Sequence, residues 1–116
     1  MKQNIFDGLD ELKSGERFSE LLRRQDVVIE RIQSSGDVDH GLYDQNHDEW
    51  VILLEGSATL EVSGRALQLN PGDHVFLPAH TRHRVLHTLP SPHCIWLAVH
   101  IGAEAQQADY TTRGQL

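Results

Sequence analysis

Histidine is the residue type in this chain that most directly suggests chemistry. The 116 residues include eight histidines. Neutral imidazole binds divalent metal ions, and imidazole also gains or loses a proton near neutral pH. The sequence therefore suggests either a metal centre or an acid–base pocket. Six of the eight lie close together in the second half of the chain: His74, His80, His83, His87, His93 and His100.

The composition is that of one folded domain with a negative net charge. Seventeen Asp and Glu residues against ten Lys and Arg residues give a net charge of −7, and 39% of the residues are hydrophobic. A chain of this length has room for one hydrophobic core, so we expect one domain and one main site. The negative charge disfavours binding to nucleic acid phosphates, so we expect a small-molecule ligand and no nucleic acid partner.

Cysteine usage and the N-terminus bear on the cellular compartment. Cys94 is the single cysteine, so the chain can form neither an internal disulfide nor a cysteine-rich zinc motif. It lies in the apolar run 94–99, which predicts a buried thiol rather than a nucleophile. The N-terminus lacks the apolar stretch of a secretory signal, and no apolar run approaches the roughly 18 residues that span a bilayer. We therefore expect a cytoplasmic protein with no membrane contact.

From Val27 onward the sequence is typical of short antiparallel strands. The run 27–32 is rich in β-branched residues, and 50–54 is a second apolar run. Alternating residues on either side of Ser63 and Gly64 predict a hairpin. Strands this short, about ten residues apart and separated by turns, favour an antiparallel barrel or sandwich.

The first and last parts of the chain have other patterns. Phe18, Leu21 and Leu22 have the i, i+3, i+4 spacing of one helix face, so we expect a short helical or irregular segment before the strands. The stretch 104–116 lacks apolar periodicity, which predicts a loose C-terminal tail. Residues 1–103 are the predicted domain.

Two motifs in the strand region identify a family resemblance. The segment 71–85, PGDHVFLPAHTRHRV, resembles the second motif of the cupin superfamily, with its PGD, strand, proline and metal-binding histidine. The segment 43–56 resembles the first motif, in which a glutamate stands seven residues before a glycine, here Glu49 and Gly56. More narrowly, the chain is similar to small single-domain bacterial cupins. The resemblance implies an all-β, jelly-roll-like antiparallel cupin barrel, the double-stranded β-helix.

The resemblance also implies where a metal ion would bind. Glu49 and His83 match two of the four positions that hold metal ligands in cupins. The other two positions, which are histidines in metal-binding cupins, hold Tyr43 and Gln45 in this sequence. The chain therefore departs from the cupin pattern at half of the expected ligands.

Strand alternation adds two further candidates to this set. If both strands are regular, His47 shares a face with Glu49, and His87 shares a face with His83. Three imidazoles and a carboxylate suit a borderline divalent ion such as Zn, Fe, Ni or Mn. Tyr43 and Glu49 are the candidate catalytic residues, and Gln45 and Arg82 the candidate substrate-binding residues. The predicted metal ligands are His47, Glu49, His83 and His87.

The remaining histidines receive structural interpretations. His40, His74 and His93 are predicted to lie at the surface or in loops. His80 lies in a turn, where it could bond to the backbone or line the rim of the pocket. The sequence leaves His100, at the end of the last strand, open.

Three functions remain open at this point. The first is a metal-dependent oxygenase, isomerase or lyase that acts on a small polar metabolite. The second is a metal-free module that binds or senses such a molecule, with Tyr43 and Gln45 in place of the usual histidines. The third is a barrel without a working pocket that serves in dimerisation. A homodimer is expected in each case, because similar proteins commonly pair and a short chain gains buried area by pairing.

Overall fold

The structure, a computed structural model, describes residues 1–102 and contains eight β-strands in that range. The strands are β1 (Glu16–Arg24), β2 (Val27–Ser34), β3 (Asp48–Glu55), β4 (Ser57–Val62), β5 (Arg65–Leu69), β6 (His74–Leu77), β7 (His83–Leu89) and β8 (Cys94–Ile101).

The strands form two antiparallel sheets around one hydrophobic core. The larger sheet has the order β1-β2-β8-β3-β6 and the smaller one β5-β4-β7. Leu53 and Trp96 from the larger sheet and Leu60 and Val85 from the smaller one belong to the same core and are fully buried. The part of the chain that the structure describes contains no helix. The predicted all-β antiparallel architecture is confirmed.

Alternation along β2 and β3 places carboxylates on the inner face of the larger sheet. In β2, the buried apolar residues Val28 and Ile32 flank Glu30, which is itself buried. In β3, Glu49 has the same parity as the buried Val51. Since successive side chains of a strand point to opposite faces, both glutamates are held inside by their apolar neighbours.

The glycine of the first motif is required by a close backbone approach. Gly56 lies between β3 and β4 with a φ of +85°. A Cβ atom at this position would lie 2.8 Å from the carbonyl oxygen of His93 and 2.9 Å from that of Leu89. Only glycine fits there without a backbone shift, so the motif spacing reflects the packing of this turn against the start of β8.

The predicted N-terminal helix is wrong. Phe18, Leu21 and Leu22 lie in β1, which pairs with β2 along its length and carries a register shift between Glu20 and Leu22. Phe18 packs against the core opposite Ile32, whereas the two leucines are exposed. Three residues at helical spacing were too few, because pairing with a neighbouring strand overrides a weak local preference. The irregular segment is residues 1–15, which contain only turns and bends.

A bulge in β7 reverses the orientation expected for His87. Val85 pairs with Leu60 of β4, but His87 pairs with Thr59, so Leu86 is an extra residue in the ladder. The next buried residue after Val85 is therefore Thr88, and His87 is exposed. The expectation that His87 faces the barrel interior is wrong, because an extra residue changes the parity of everything that follows it.

The predicted end of the domain, residue 103, is one residue beyond the described part of the chain. The strands end at Ile101, and the predicted tail, 104–116, lies outside the described residues. Within residues 1–102 there is no helix long and apolar enough to cross a membrane. The homodimer stays a prediction.

Candidate functional site

In the segment before β3, more buried side chains alternate with exposed ones. Tyr43 and Gln45 are half-buried, His47 and Glu49 are buried, and Asp44 between the first two is exposed. The backbone of Tyr43 exchanges two hydrogen bonds with that of His83, at 2.8 and 3.1 Å, in an isolated bridge to β7. Exposure therefore alternates along residues 43–47, which agrees with one shared face for these residues and Glu49.

Glu49 and His83 form the most unusual part of the interior. The two residues are 0% and 1% exposed, and His83 Nε2 lies 3.9 Å from Glu49 Oε1. His83 Nδ1 lies 2.9 Å from the carbonyl oxygen of Thr81, to which it donates. In neutral His83 this leaves Nε2 as the nitrogen with the lone pair. Within the described residues, that nitrogen and both Glu49 carboxylate oxygens are buried without a hydrogen-bond partner.

A second buried group lies beside this pair and is linked by two hydrogen bonds. His47 Nε2 lies 2.9 Å from His100 Nδ1, and His100 Nε2 lies 2.8 Å from Glu30 Oε1. His100 Nδ1 is also 3.9 Å from Glu49 Oε1. We call Glu30, His100 and His47 the buried triad. Its hydrogen bonds fix both rings, so the Nε2 atom of His47 is already engaged within the protein.

Sequence reasoning missed two of the three residues of the buried triad. Glu30 was not singled out, and His100 was left open. Strand alternation could have predicted that both residues face inward. Glu30 lies between the inward-facing Val28 and Ile32, and His100 lies on the same face of its strand as the buried Trp96 and Ala98. A charged residue at an inward position of an apolar strand indicates a buried polar contact.

Tyr43 and Gln45 border the pair. The Tyr43 ring is stacked on the His83 ring, with centroids 5.6 Å apart and planes at 24°. The carbonyl oxygen of Gln45 accepts a hydrogen bond of 2.6 Å from the backbone N–H of His80. These contacts hold the 43–47 segment against the loop that precedes β7.

Arg82 lies at the surface rather than in the cluster. Its side chain is 69% exposed, and its Nε atom is 3.9 Å from Asp44 Oδ2. His80 is also exposed, has a φ of +64° and bonds to Asp44 Oδ1 at 2.8 Å. Both residues therefore lie at the surface, and a substrate-binding role for Arg82 stays a prediction.

The remaining histidines lie away from the pair. His74 is exposed and accepts a bond of 3.3 Å from Trp50 Nε1. His40 is exposed and bonds to the carbonyl oxygen of Val85 at 2.9 Å. His93 is half-buried, and its backbone N–H donates to Glu55.

Another carboxylate belongs to the interior. Glu16 Oε2 accepts a bond of 2.6 Å from Ser34 Oγ, which accepts one of 3.0 Å from Trp96 Nε1. Burial raises the pKa of Glu16 from 4.5 to about 8, and repulsion from Asp39, Glu30 and Glu49 adds to the rise. The carboxylates of the interior therefore act on one another.

The cysteine is buried as expected. Cys94 is fully buried, and its pKa is raised to about 12, mainly by desolvation. A thiol with so high a pKa is not ionised near neutral pH and is a poor nucleophile.

The predicted set of four metal ligands is not assembled. His87 is exposed, and His47 Nε2 is bonded to His100, which leaves Glu49 and His83. Among residues 1–102 no group of three or more His, Cys, Asp or Glu side chains is arranged to hold a metal ion. Catalytic zinc sites use three protein ligands. The residues present therefore do not fit the metal centre that the sequence resemblance implied.

Comparison with known proteins agrees with this fold. A solved structure from Ralstonia eutropha JMP134, provisionally assigned as a mannose-6-phosphate isomerase, is 39% identical, with a TM-score of 0.81 over 89% of this chain and 99% of that one. An RmlC-like cupin from Shewanella frigidimarina NCIMB 400 has a TM-score of 0.70 at 18% identity, over 85% and 86% of the two chains. That likeness shows the fold alone.

A curated relative is similar over part of its length. Quercetin 2,3-dioxygenase of Bacillus subtilis (strain 168) is 34% identical in an alignment of length 82 that covers 64% of this chain and 24% of the relative. The chain thus spans about a quarter of that enzyme. The family described as Cupin domain matches residues 29–100, which include β3 to β7 and nearly all of β2 and β8. This chain belongs to the cupin family.

Proposed function

We propose that this protein binds a small polar molecule inside the barrel, in contact with both Glu49 and His83, and that no metal ion completes the site. The observation that carries the proposal is the set of three buried atoms without partners, the two Glu49 oxygens and His83 Nε2. An unpaired buried carboxylate is costly, so a bound molecule that donates hydrogen bonds to it explains why it is kept.

The donor and acceptor pattern defines what the molecule must supply. Both Glu49 oxygens and the lone pair on His83 Nε2 are acceptors, so the molecule needs two or more O–H or N–H groups. The half-buried Tyr43 phenol beside His83 can donate to or accept from it. If the bound molecule reacts, the Glu49 carboxylate would take a proton and the Tyr43 phenol would supply one.

A metal-dependent reaction is the second candidate function. The orientation of His83 favours it, since a bond from one ring nitrogen to a backbone carbonyl is the usual way to aim the other nitrogen at a metal. Such a site would have Glu49 and His83 as ligands and would need further donors from Gln45, Tyr43 or the substrate. The two relatives with the higher identities carry the names of a dioxygenase and an isomerase, so they favour a small-molecule substrate without favouring one reaction.

Metal analysis separates the two candidates. The full chain, purified without a histidine tag, is expected to contain substoichiometric Zn, Fe, Ni and Mn, and its melting temperature is expected to stay unchanged when Zn(II) or Ni(II) is added. A metal that binds the folded state must raise that temperature by mass action. One bound metal per chain, with a melting temperature that falls in EDTA, would support the second candidate and contradict the first.

Ligand binding in EDTA tests the site itself. Sorbitol, an uncharged polyol, serves as the probe and is titrated into ¹⁵N-labelled protein while backbone amide shifts are recorded. We expect shifts in β3 and β7 that His83→Ala removes and His87→Ala leaves in place. The two histidines lie on one strand, one inside and one exposed, so they form a matched pair. Equal loss in both variants, or equal binding in both, would contradict the proposal.

A further inference from the structure

We propose that the molecule bound in contact with Glu49 and His83 is a positively charged amine that also carries hydroxyl groups, and that the barrel interior excludes phosphates and carboxylates. This inference rests on the proposed function and names the ligand class for the same site. It follows from the charges that face the site, from the acceptors that lack partners and from the positions of the basic side chains.

The buried ionisable groups of the interior are acids and imidazoles. Glu30 and Glu49 are 0% exposed, and a third carboxylate, Glu16, has a buried oxygen. Among the described residues, no lysine or arginine is buried. The interior therefore offers an anionic ligand no ammonium or guanidinium group to pair with, and such groups are the usual partners of phosphates and carboxylates.

The arginines of the strands are engaged elsewhere or exposed. Arg31 Nη1 donates to the backbone oxygens of Ile5 and Asp7 in the N-terminal segment. Arg84 Nε donates to Glu61, and the side chain of Arg82 is 69% exposed. None of these three contacts is with Glu49 or His83.

The two fully buried carboxylates differ in how they are compensated. Glu30 accepts a bond of 2.8 Å from His100, whereas both Glu49 oxygens lack a hydrogen-bond partner in the described part of the chain. Repulsion from Glu30 and Glu49 is also among the causes of the raised pKa of Glu16. Glu49 has histidine nitrogens at 3.9 Å but no hydrogen-bonded donor in the described residues, so a positively charged donor would complete its contacts.

A hydroxylated amine satisfies each of these requirements. An ammonium group has three donors and no acceptor, so it can bond to both Glu49 oxygens and neutralise their charge. A neighbouring hydroxyl can donate to His83 Nε2. A phosphate or carboxylate in the same place would meet an unpaired carboxylate at close range in a medium that screens poorly, which disfavours binding.

Three six-carbon polyols that differ in charge test the inference. Glucamine, sorbitol and gluconate are titrated separately into ¹⁵N-labelled full-length protein in EDTA at pH 7, and their dissociation constants are obtained from backbone amide shifts. We expect glucamine to bind most tightly and gluconate most weakly, with about a 100-fold range between them.

The outcomes separate this inference from the proposed function. Gluconate binding as tightly as glucamine, with the shifts lost in His83→Ala and kept in His87→Ala, would overturn the ligand class and leave the site intact. Failure of all three polyols to bind at the site would contradict the proposed function itself.

A variant that lacks the charge of Glu49 tests whether this charge causes the preference for the amine. Glu49→Gln keeps the shape of the side chain and is expected to bring the glucamine and sorbitol affinities within about twofold of each other. Glu11→Gln removes the same charge from an exposed residue outside the sheets and should leave the preference unchanged. An equal loss of preference in both variants would show that the net charge of −7, rather than Glu49, selects the amine, and would overturn the inference.

Discussion

Glu30 and Glu49 are both fully buried on the inner face of one sheet, on the two strands that flank β8, yet they have opposite surroundings. Glu30 is tied through His100 to His47 by hydrogen bonds of 2.8 and 2.9 Å. Among the described residues, the ion-pair contacts of Glu49 are at 3.9 Å, with His83 and His100. The residues of the buried triad are linked by hydrogen bonds, whereas neither Glu49 oxygen has a hydrogen-bond partner within residues 1–102.

This contrast suggests that the buried triad stabilises the barrel and that the Glu49–His83 pair binds a ligand. A buried polar group with all its partners adds rigidity, and one without them lowers the stability of the empty protein. In natural proteins, functional sites commonly contain groups that lower the stability of the folded state. The predictions below test whether the buried triad and the pair differ in this way.

The largest expected effect lies in the buried triad. His100→Ala removes both hydrogen bonds and leaves Glu30 as a buried charge, so we expect the free energy of unfolding to fall by about 3 to 5 kcal/mol. Urea denaturation followed by tryptophan fluorescence measures it. His87→Ala, at an exposed position, is the control and should change stability by about 0.5 kcal/mol or less. A loss below about 1 kcal/mol for His100→Ala would show that the triad is not the structural part of the interior.

A pH effect is expected at Glu16, whose carboxylate has an incomplete set of partners. Because burial raises its pKa to about 8, the folded state keeps a proton that the unfolded state loses near 4.5. Between these values the folded state binds more protons, so stability contributed by this group falls as pH rises, by about 1 kcal/mol per pH unit, and levels off above pH 8. Unfolding of the wild type and Glu16→Gln at pH 5, 6, 7 and 8 tests this. The variant should lose that slope, and identical slopes would contradict the interpretation.

Strand alternation accounts for the parts of the site that the sequence predicted. It predicted one face for Tyr43, Gln45, His47 and Glu49, and these residues are less exposed than Asp44 and Asn46 between them. It failed at His87, since one extra residue in β7 reversed the parity, and nothing in the local sequence marks that bulge. The β1 strand was missed for a related reason, as its pairing with β2 is set by tertiary structure.

The partnerships inside the barrel could not be predicted from the sequence. Glu30 and His100 are 70 positions apart, and His47 and His100 are 53 apart. Alternation along a strand predicts which side chains face inward. It does not predict which of them are in contact, because that depends on the register between β2, β8 and β3. The division into the buried triad and an unpartnered pair therefore emerged only from the structure.

The paired substitutions Glu49→Gln and Glu30→Gln test the central claim most directly. Each removes one buried charge and keeps the size of the side chain, so the sign of the change in unfolding free energy reports whether that charge was compensated. Without ligand at pH 7, we expect Glu49→Gln to raise the free energy of unfolding by about 1 kcal/mol and Glu30→Gln to lower it by about 1 to 2 kcal/mol. Destabilisation by both variants to the same extent would contradict the account, because Glu49 would then be as much a part of the structural network as Glu30.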